Sequence, residues 1–190
     1  VMSKISFITE IEKISYDRIT LEKDYCKNFK LVDGSEVFIS STVGLRRKTQ
    51  QDSLAFVADD DHAMLLVADG MGGMNSGERA SYIVANTFKD FFETEKFDSL
   101  DLVDMRIFGE IVKMLIGNCL PDITFNSGTT LALATVLREK TFIVNVGDSR
   151  IYSMLNGKTR LETYDHSVAF EKFRPISQCD RDILRFYEHN

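Results

Sequence analysis

Short apolar runs separated by turn signals dominate the middle of the chain. The runs "DSLAFVAD" and "HAMLLVAD" flank the acidic stretch "DDDH", a pattern that predicts a β-hairpin. Before them, "GSEVFISST" begins at a turn signal and predicts a strand over residues 36–42. Further along, "GTTLALATVL" and "KTFIVNVGD" flank "REK", and "RIYSML" and "TRLET" flank "NGK", whose Asn-Gly pair favours a hairpin. These hairpins together predict antiparallel sheet.

Two segments between the strands have helical periodicity. Apolar residues recur at i, i+3, i+4 and i+7 spacing over residues 80–92 and again over residues 108–119. Either Asn75 or Ser76 could cap the first helix, and Glu78 lies in its first turn. These apolar stripes indicate faces that pack into a core.

The order of the elements predicts the fold class. The last segment, "SQCDRDILRFYEHN", predicts a further helix that Ser177 caps. Strands, two helices, strands and a helix, joined by hairpins, predict an α+β domain with antiparallel sheet over residues 36–190. Residues 1–35 have mixed periods and are interpreted as an N-terminal extension of uncertain structure.

Composition narrows the class of protein. The net charge of −6 over 190 residues argues against a nucleic-acid-binding surface, which would be basic. No apolar run approaches the roughly 18 residues of a membrane span, and charges interrupt the first segment where a signal peptide would be apolar. We therefore expect neither a nucleic-acid nor a membrane partner.

The three cysteines are odd in number and widely spaced, which indicates neither a disulfide framework nor a thiolate zinc site. This cysteine usage favours a reducing, cytoplasmic location. Cys179 and Arg185 have the C-x5-R spacing of a cysteine-dependent phosphatase loop. The intervening "DRDIL" lacks glycine and carries two aspartates that would repel phosphate, so it is interpreted as helix.

Three aspartates share one sequence context. Asp52 directly precedes an apolar strand, whereas Asp69 and Asp148 directly follow one, each beside a glycine. Carboxylates gathered at strand ends suit Mg²⁺ or Mn²⁺, and the carbonyl oxygen of Gly70 could add a ligand. Arg46 and Arg47 precede Asp52 and could bind phosphate through a two-pronged fork. The alternative is that these Asp-Gly pairs are ordinary turns.

Five linked motifs resemble the metal-dependent protein phosphatases of the PPM, or 2C, family in its bacterial form. They are "GLRRKTQQDS", "VADGMGGMNSGERAS", "SGTTLALATVL", "VNVGDSRIY" and "TYDHS", in the family's order over about residues 40–167. The resemblance implies a two-layer antiparallel β-sandwich flanked by helix pairs. It also implies hydrolysis of phosphoserine and phosphothreonine in proteins by a water that two cations activate, Mn²⁺ or Mg²⁺.

The resemblance assigns roles to individual positions. Asp52 matches a metal-binding aspartate, Asp69 the aspartate that bridges two cations, and Gly70 the carbonyl ligand. Arg47 matches the phosphate-binding arginine, and Asp148 an aspartate linked to a third, weaker metal. Asp52 and Asp69 are thus the predicted catalytic residues. The "SGTT" segment is interpreted as structural, and the "DHS" segment receives no chemical role.

Several positions depart from the family pattern. Gln50 stands where the family usually has Asn, and Gln51 where it often has Glu. Met71 and Met74 stand where other members carry histidine, so these side chains cannot protonate a leaving group. Glutamine at the position of Gln51 is a familiar bacterial variant and can still hold a metal-bound water.

The family's C-terminal "SDG" and "DN" ligands have no counterpart before Asn190, so residues 36–190 are interpreted as a partial phosphatase domain, incomplete at its C-terminus. We expect this chain to bind metal weakly and to turn over little on its own. We also expect strands 129–137 and 142–146 to leave an open edge or an uncovered apolar face, either of which promotes self-association. The rival interpretation is a non-catalytic module that keeps the fold and binds a partner.

Overall fold

The computed structural model describes residues 8–9, 25–30, 34–45, 50–59, 61–72, 76–94, 97–167 and 184–188. The strands in these ranges are β1 Ile8–Thr9, β2 Tyr25–Lys30, β3 Glu36–Ser41, β4 Asp52–Ala58, β5 Ala63–Met71, β6 Gly128–Thr129, β7 Leu131–Val136, β8 Lys140–Val146, β9 Tyr152–Leu155, β10 Lys158–Leu161 and β11 Leu184–Glu188. The helices are α1 Ser76–Thr94, α2 Phe97–Leu100 and α3 Met105–Cys119, and a 3-10 turn follows at Leu120–Asp122.

One antiparallel sheet forms the centre of the described fold. Its strands lie in the order β1-β4-β5-β7-β8-β11, and β6 pairs with the end of β5. Each predicted hairpin is present as β4–β5, β7–β8 or β9–β10. The β9–β10 turn places Asn156 and Gly157 at φ of 51° and 74°, the left-handed conformation that an Asn-Gly hairpin needs.

Helices α1 and α3 cover one face of this sheet. Their apolar stripes are buried against alternate residues of β5, β7 and β8, as their spacing predicts. Phe108 of α3 stacks on Phe142 of β8 with ring centroids 4.3 Å apart. Asp104 caps α3 by accepting a hydrogen bond from the Ile107 amide at 2.8 Å. Among the helices in these ranges, none has the length and apolar character that a bilayer crossing requires.

A two-stranded ribbon of β2 and β3 covers part of the opposite face. Phe29 and Ile39 of the ribbon are buried with Phe56, Ala58 and Ala63 of the large sheet. The sheet is therefore packed on both faces, by helices on one and by a β-ribbon on the other. The predicted α+β class with antiparallel sheets is confirmed.

Residues before position 36 contribute to these layers. β2 pairs with β3 from Tyr25 opposite Ser41 to Lys30 opposite Glu36, and β1 pairs with β4. The division placed at residue 35 falls between the two strands of one ribbon. The predicted division into an N-terminal extension, residues 1–35, and a partial phosphatase domain, residues 36–190, stays a prediction.

The helix predicted for the C-terminal segment is wrong for residues 184–188, the part of that segment that the structure describes. Residues 184–188 form β11, which pairs with β8 from Leu184 opposite Val144 to Glu188 opposite Lys140. An open strand edge presents unpaired amide and carbonyl groups, and pairing them outweighs weak local helical spacing. Ser177 and Cys179 lie outside the described residues, and Arg185 is in this strand.

The expected open edge at residues 142–146 is also wrong. β8 lies between β7 and β11, and β7 lies between β5 and β8, so both strands are paired on both sides. The C-terminal segment of the chain itself supplies the pairing. The open edge is therefore removed as a reason for self-association, and self-association itself stays a prediction.

Candidate active site

Asp52 and Asp69 face each other at one end of the large sheet. Asp52 begins β4 and lies directly opposite Asp69 of β5 in the antiparallel register. Opposed residues in such a pair place their Cβ atoms about 4.5–5.5 Å apart on the same face. Both side chains are exposed. The sheet thus brings two predicted metal ligands together on a solvent-facing edge.

Gly70 packs its backbone against the first turn of α1. Its amide donates to the carbonyl of Gln51 at 3.1 Å. A Cβ at this position would overlap the carbonyl oxygen of Gly77 and lie 2.6 Å from the carbonyl oxygen of Gln51. The glycine therefore permits the close approach of β5 to α1. Coordination of a cation by the Gly70 carbonyl stays a prediction.

Thr130 holds the backbone of Asp69 in place. The Asp69 amide donates to Thr130 Oγ1 at 2.9 Å, and the Thr130 amide donates back to the Asp69 carbonyl at 2.9 Å. Thr129 Oγ1 also donates to this carbonyl, at 3.0 Å. The "SGTT" segment, interpreted from sequence as structural, thus positions a candidate ligand. The sequence carried no signal of this role because the partners are 61 residues apart.

Asp148 lies at the same end of the sheet, on the far side of β7. Ser149 Oγ lies 2.6 Å from Thr130 Oγ1, which ties the turn carrying Asp148 to the strand beside Asp69. Asp148 is exposed and follows β8, two strands from Asp69. Two strand spacings are roughly 10 Å, so Asp148 lies beside the Asp52–Asp69 pair and is not part of it.

The "DHS" segment clamps the turn that carries Asp148. The amide of His166 donates to the Gly147 carbonyl at 2.9 Å, and the Gly147 amide donates to His166 Nδ1 at 3.1 Å. Arg150 binds Asp165 through a two-pronged fork, with Nε to Oδ1 at 2.8 Å and Nη2 to Oδ2 at 2.5 Å. The Arg150 guanidinium lowers the pKa of the Asp165 carboxyl, and Asp165 raises the pKa of Arg150.

We expect the Asp165–Arg150 pair to stabilise the fold only above acidic pH. The folded-state pKa of Asp165 lies below its ordinary value of about 3.9, so its stabilising contribution is present above that pH and is lost as pH falls through the lowered pKa. Asp165→Asn should therefore melt at a lower temperature than wild type at pH 7, with a gap that closes towards pH 3. Thermal melts across this range measure the gap. A gap of equal size at pH 3 and pH 7 would contradict the assignment, and Asp122→Asn, at an exposed position, is the matched control.

Gln50 lies next to the start of β4 and makes three hydrogen bonds there. Gln50 Nε2 donates to Ser41 Oγ at 2.6 Å and to the Thr42 carbonyl at 2.9 Å, and its Oε1 accepts from the Asp52 amide at 3.3 Å. Gln50 thus ties the end of β3 to the backbone of Asp52. This role is a result of the structure, since the sequence showed only that the residue departs from the family pattern.

Glu78 is a further carboxyl group near the site. From sequence, it was predicted only to lie in the first turn of the first helix. Its side chain lies behind the site in α1 and is 2% exposed. Oε2 lies 3.5 Å from Gln51 Nε2, and Oε1 has no hydrogen-bond partner among the described atoms. A buried carboxylate oxygen without a partner is costly and unusual in a folded protein.

Arg46 and Arg47 lie outside the described residues, so the predicted phosphate ligand has no described position. Across the described ranges, no group of three or more His, Cys, Asp or Glu side chains could hold a metal ion. The pair of opposed carboxylates still fits part of a hard-cation site, because two charges and oxygen-only donors suit Mg²⁺ or Mn²⁺. Their roles as metal ligands stay a prediction.

Comparison with known proteins agrees with the motif order. The profile of the family "Protein phosphatase 2C" matches residues 46–172. The chain is 30% identical over 151 residues to the serine/threonine phosphatase Stp of Listeria welshimeri, a match that covers 77% of this chain and 60% of that relative. The chain thus spans about three fifths of the length of this relative.

Solved structures share the fold. Serine/threonine phosphatase Stp1 from Staphylococcus aureus superposes with a TM-score of 0.59 at 20% identity, over 90% of this chain and 73% of Stp1. The catalytic domain of the serine/threonine protein phosphatase PstP in complex with two manganese ions superposes with a TM-score of 0.52 at 21% identity, over 88% of this chain and 73% of that catalytic domain. With the profile match over two thirds of its length, the chain belongs to the protein phosphatase 2C family.

Proposed function

We propose that the protein hydrolyses phosphoserine and phosphothreonine in other proteins, using divalent cations held at the Asp52–Asp69 edge. The observation that carries this proposal is the direct opposition of the two aspartates on an exposed sheet end, in a chain of this family. The named relatives support the substrate class, because they are serine/threonine phosphatases.

Each side chain has a defined task in this proposal. The Asp52 and Asp69 carboxylates hold the cations, Mn²⁺ or Mg²⁺, with the Gly70 carbonyl as a further ligand and Asp148 at a peripheral ion. Bound cations of this kind lower the pKa of water and offset the negative charge of a phosphate. Arg47 grips the phosphate oxygens through its planar fork.

The leaving group takes its proton from solvent. A water oxygen forms the new bond to phosphorus, and the bond from phosphorus to the serine or threonine oxygen breaks. Met71 is exposed beside the site and has no proton to donate. The attacking water releases a proton to solvent, and solvent returns one to the departing alkoxide, which leaves as the alcohol.

We further propose that the protein is located in the cytoplasm. Cys26 and Cys119, both within the described ranges, are free thiols, as is usual in a reducing compartment. The partner is then a cytoplasmic phosphoprotein.

The test uses the full gene product that contains this chain. Phosphate release is measured from peptides carrying phosphoserine, phosphothreonine or phosphotyrosine, with Mn²⁺, with Mg²⁺ and after EDTA. We expect release from the first two peptides that EDTA abolishes and that either cation restores. Absence of release with both cations would favour the non-catalytic module, and release that survives EDTA would exclude the metal-dependent reaction. The 190-residue chain alone is expected to show weaker metal binding and turnover.

A further inference from the structure

Glu78 lies directly behind the metal-binding edge that the proposed function requires. It sits in the first turn of α1, one residue after Gly77, against which Gly70 packs. The side chain is 2% exposed, its Oε2 faces Gln51, and its Oε1 has no hydrogen-bond partner within the part of the chain that the structure describes. An ionised carboxylate is seldom buried unless a cation or several donors offset its charge.

The partner of Glu78 is the residue that departs from the family pattern. Gln51 stands where related phosphatases often have glutamate, and its Nε2 lies 3.5 Å from Glu78 Oε2. Its backbone is held firmly, because the Gln51 carbonyl accepts from the Gly70 amide at 3.1 Å and from Ser81 Oγ at 2.7 Å. The Gln51 backbone is therefore held between β5 and α1.

A carboxylate fixes which end of an amide faces it. Carboxylate oxygens only accept hydrogen bonds, so the amide nitrogen of Gln51 must face Glu78 and the amide oxygen must turn the other way. That oxygen is a neutral ligand of the type that hard cations accept, directly or through water. In this orientation the Gln51 amide oxygen points away from the buried carboxylate.

We propose that Glu78 is a positioning residue that orients the Gln51 amide and supplies, from the interior, the negative charge that glutamine lacks at this edge. The inference rests on the proposed function. The Glu78 carboxylate contributes its charge from 3.5 Å behind the Gln51 amide.

A charge-swap experiment on the full gene product tests this role. Glu78→Gln removes the buried carboxylate. The double variant Gln51→Glu/Glu78→Gln places a carboxylate at position 51 in its stead. Glu93→Gln, in the last turn of the same helix, is the matched control. Mn²⁺ affinity is measured by calorimetry and by the electron paramagnetic resonance signal of free Mn²⁺. Melting temperature is measured with and without the metal.

We expect Glu78→Gln to weaken Mn²⁺ binding about 10- to 100-fold, the usual effect of replacing a residue that holds a metal-binding side chain in place. The double variant should recover most of that loss, and Glu93→Gln should bind as wild type. Without metal, Glu78→Gln should melt at or above the wild-type temperature, because a neutral amide is cheaper to bury than an unpartnered carboxylate.

Two results would overturn the inference. One is wild-type Mn²⁺ affinity in Glu78→Gln together with a lower melting temperature in the absence of metal, which would show a purely structural role. The other is a double variant that binds no better than the single one. If wild type itself binds no Mn²⁺, the proposed function fails. If wild type binds Mn²⁺ and Glu78→Gln binds equally, only the role of Glu78 fails.

Discussion

Adding one methyl group at Gly70 is expected to lower the stability of the fold sharply and to weaken metal binding with it. The Cβ of Gly70→Ala would lie 2.5 Å from the carbonyl carbon of Gly77 and 2.6 Å from the carbonyl oxygen of Gln51. Both neighbours are backbone atoms, so neither can rotate away, and β5 must separate from α1. Overpacking costs about 1–3 kcal/mol when side chains can adjust, so we expect about 3 kcal/mol or more here.

Thermal melts measure this effect, and Gly117→Ala is the matched control. Gly117 lies on the exposed side of α3, and a Cβ there meets no atom within 4 Å. Alanine should therefore stabilise the helix at Gly117 by about 0.5–1 kcal/mol. For a chain of this size, about 3 kcal/mol corresponds to a fall of roughly 6–12 °C in melting temperature. A Gly70→Ala protein that melts with wild type would mean that β5 and α1 are not in backbone contact.

Asp69→Asn should remove Mn²⁺ binding and lower phosphate release by at least about 10²-fold. Replacing a residue that only supports a metal ligand already lowers affinity or activity by up to about that factor. Asparagine keeps the shape of the side chain and removes the charge. In the absence of metal, the variant should melt at or above the wild-type temperature, because like charges directly opposite each other in a sheet are destabilising. Opposite effects on binding and on stability distinguish a metal ligand from a structural residue.

Calorimetry with Mn²⁺, a phosphopeptide assay and a metal-free melt on the same sample provide the three measurements. Asp122→Asn, at an exposed aspartate of the 3-10 turn, controls for the loss of one negative charge. Undiminished Mn²⁺ affinity in Asp69→Asn would remove Asp69 from the site, whatever happened to the turnover.

Local patterns were sufficient for most of the elements. Short apolar runs on either side of turn signals predicted the hairpins β4–β5, β7–β8 and β9–β10, because neighbouring segments can pair without help from the rest of the chain. Helical spacing predicted α1 and α3 for the same reason. The strand β11 was missed because its formation depends on β8, about 40 residues earlier in the chain.

For the candidate site, the residue types indicated the kind of chemistry, and the fold set which groups lie together. Aspartates at strand ends next to glycines already indicated Asp52, Asp69 and Asp148, since side-chain type and strand position are local properties. Only the fold showed that Asp52 and Asp69 are directly opposed while Asp148 lies two strands from Asp69. Only the fold, too, brought Thr130 beside Asp69 and Glu78 beside Gln51, from 61 and 27 residues away in the chain. A hydrogen bond over such a separation depends on strand register and helix packing, which no local pattern encodes.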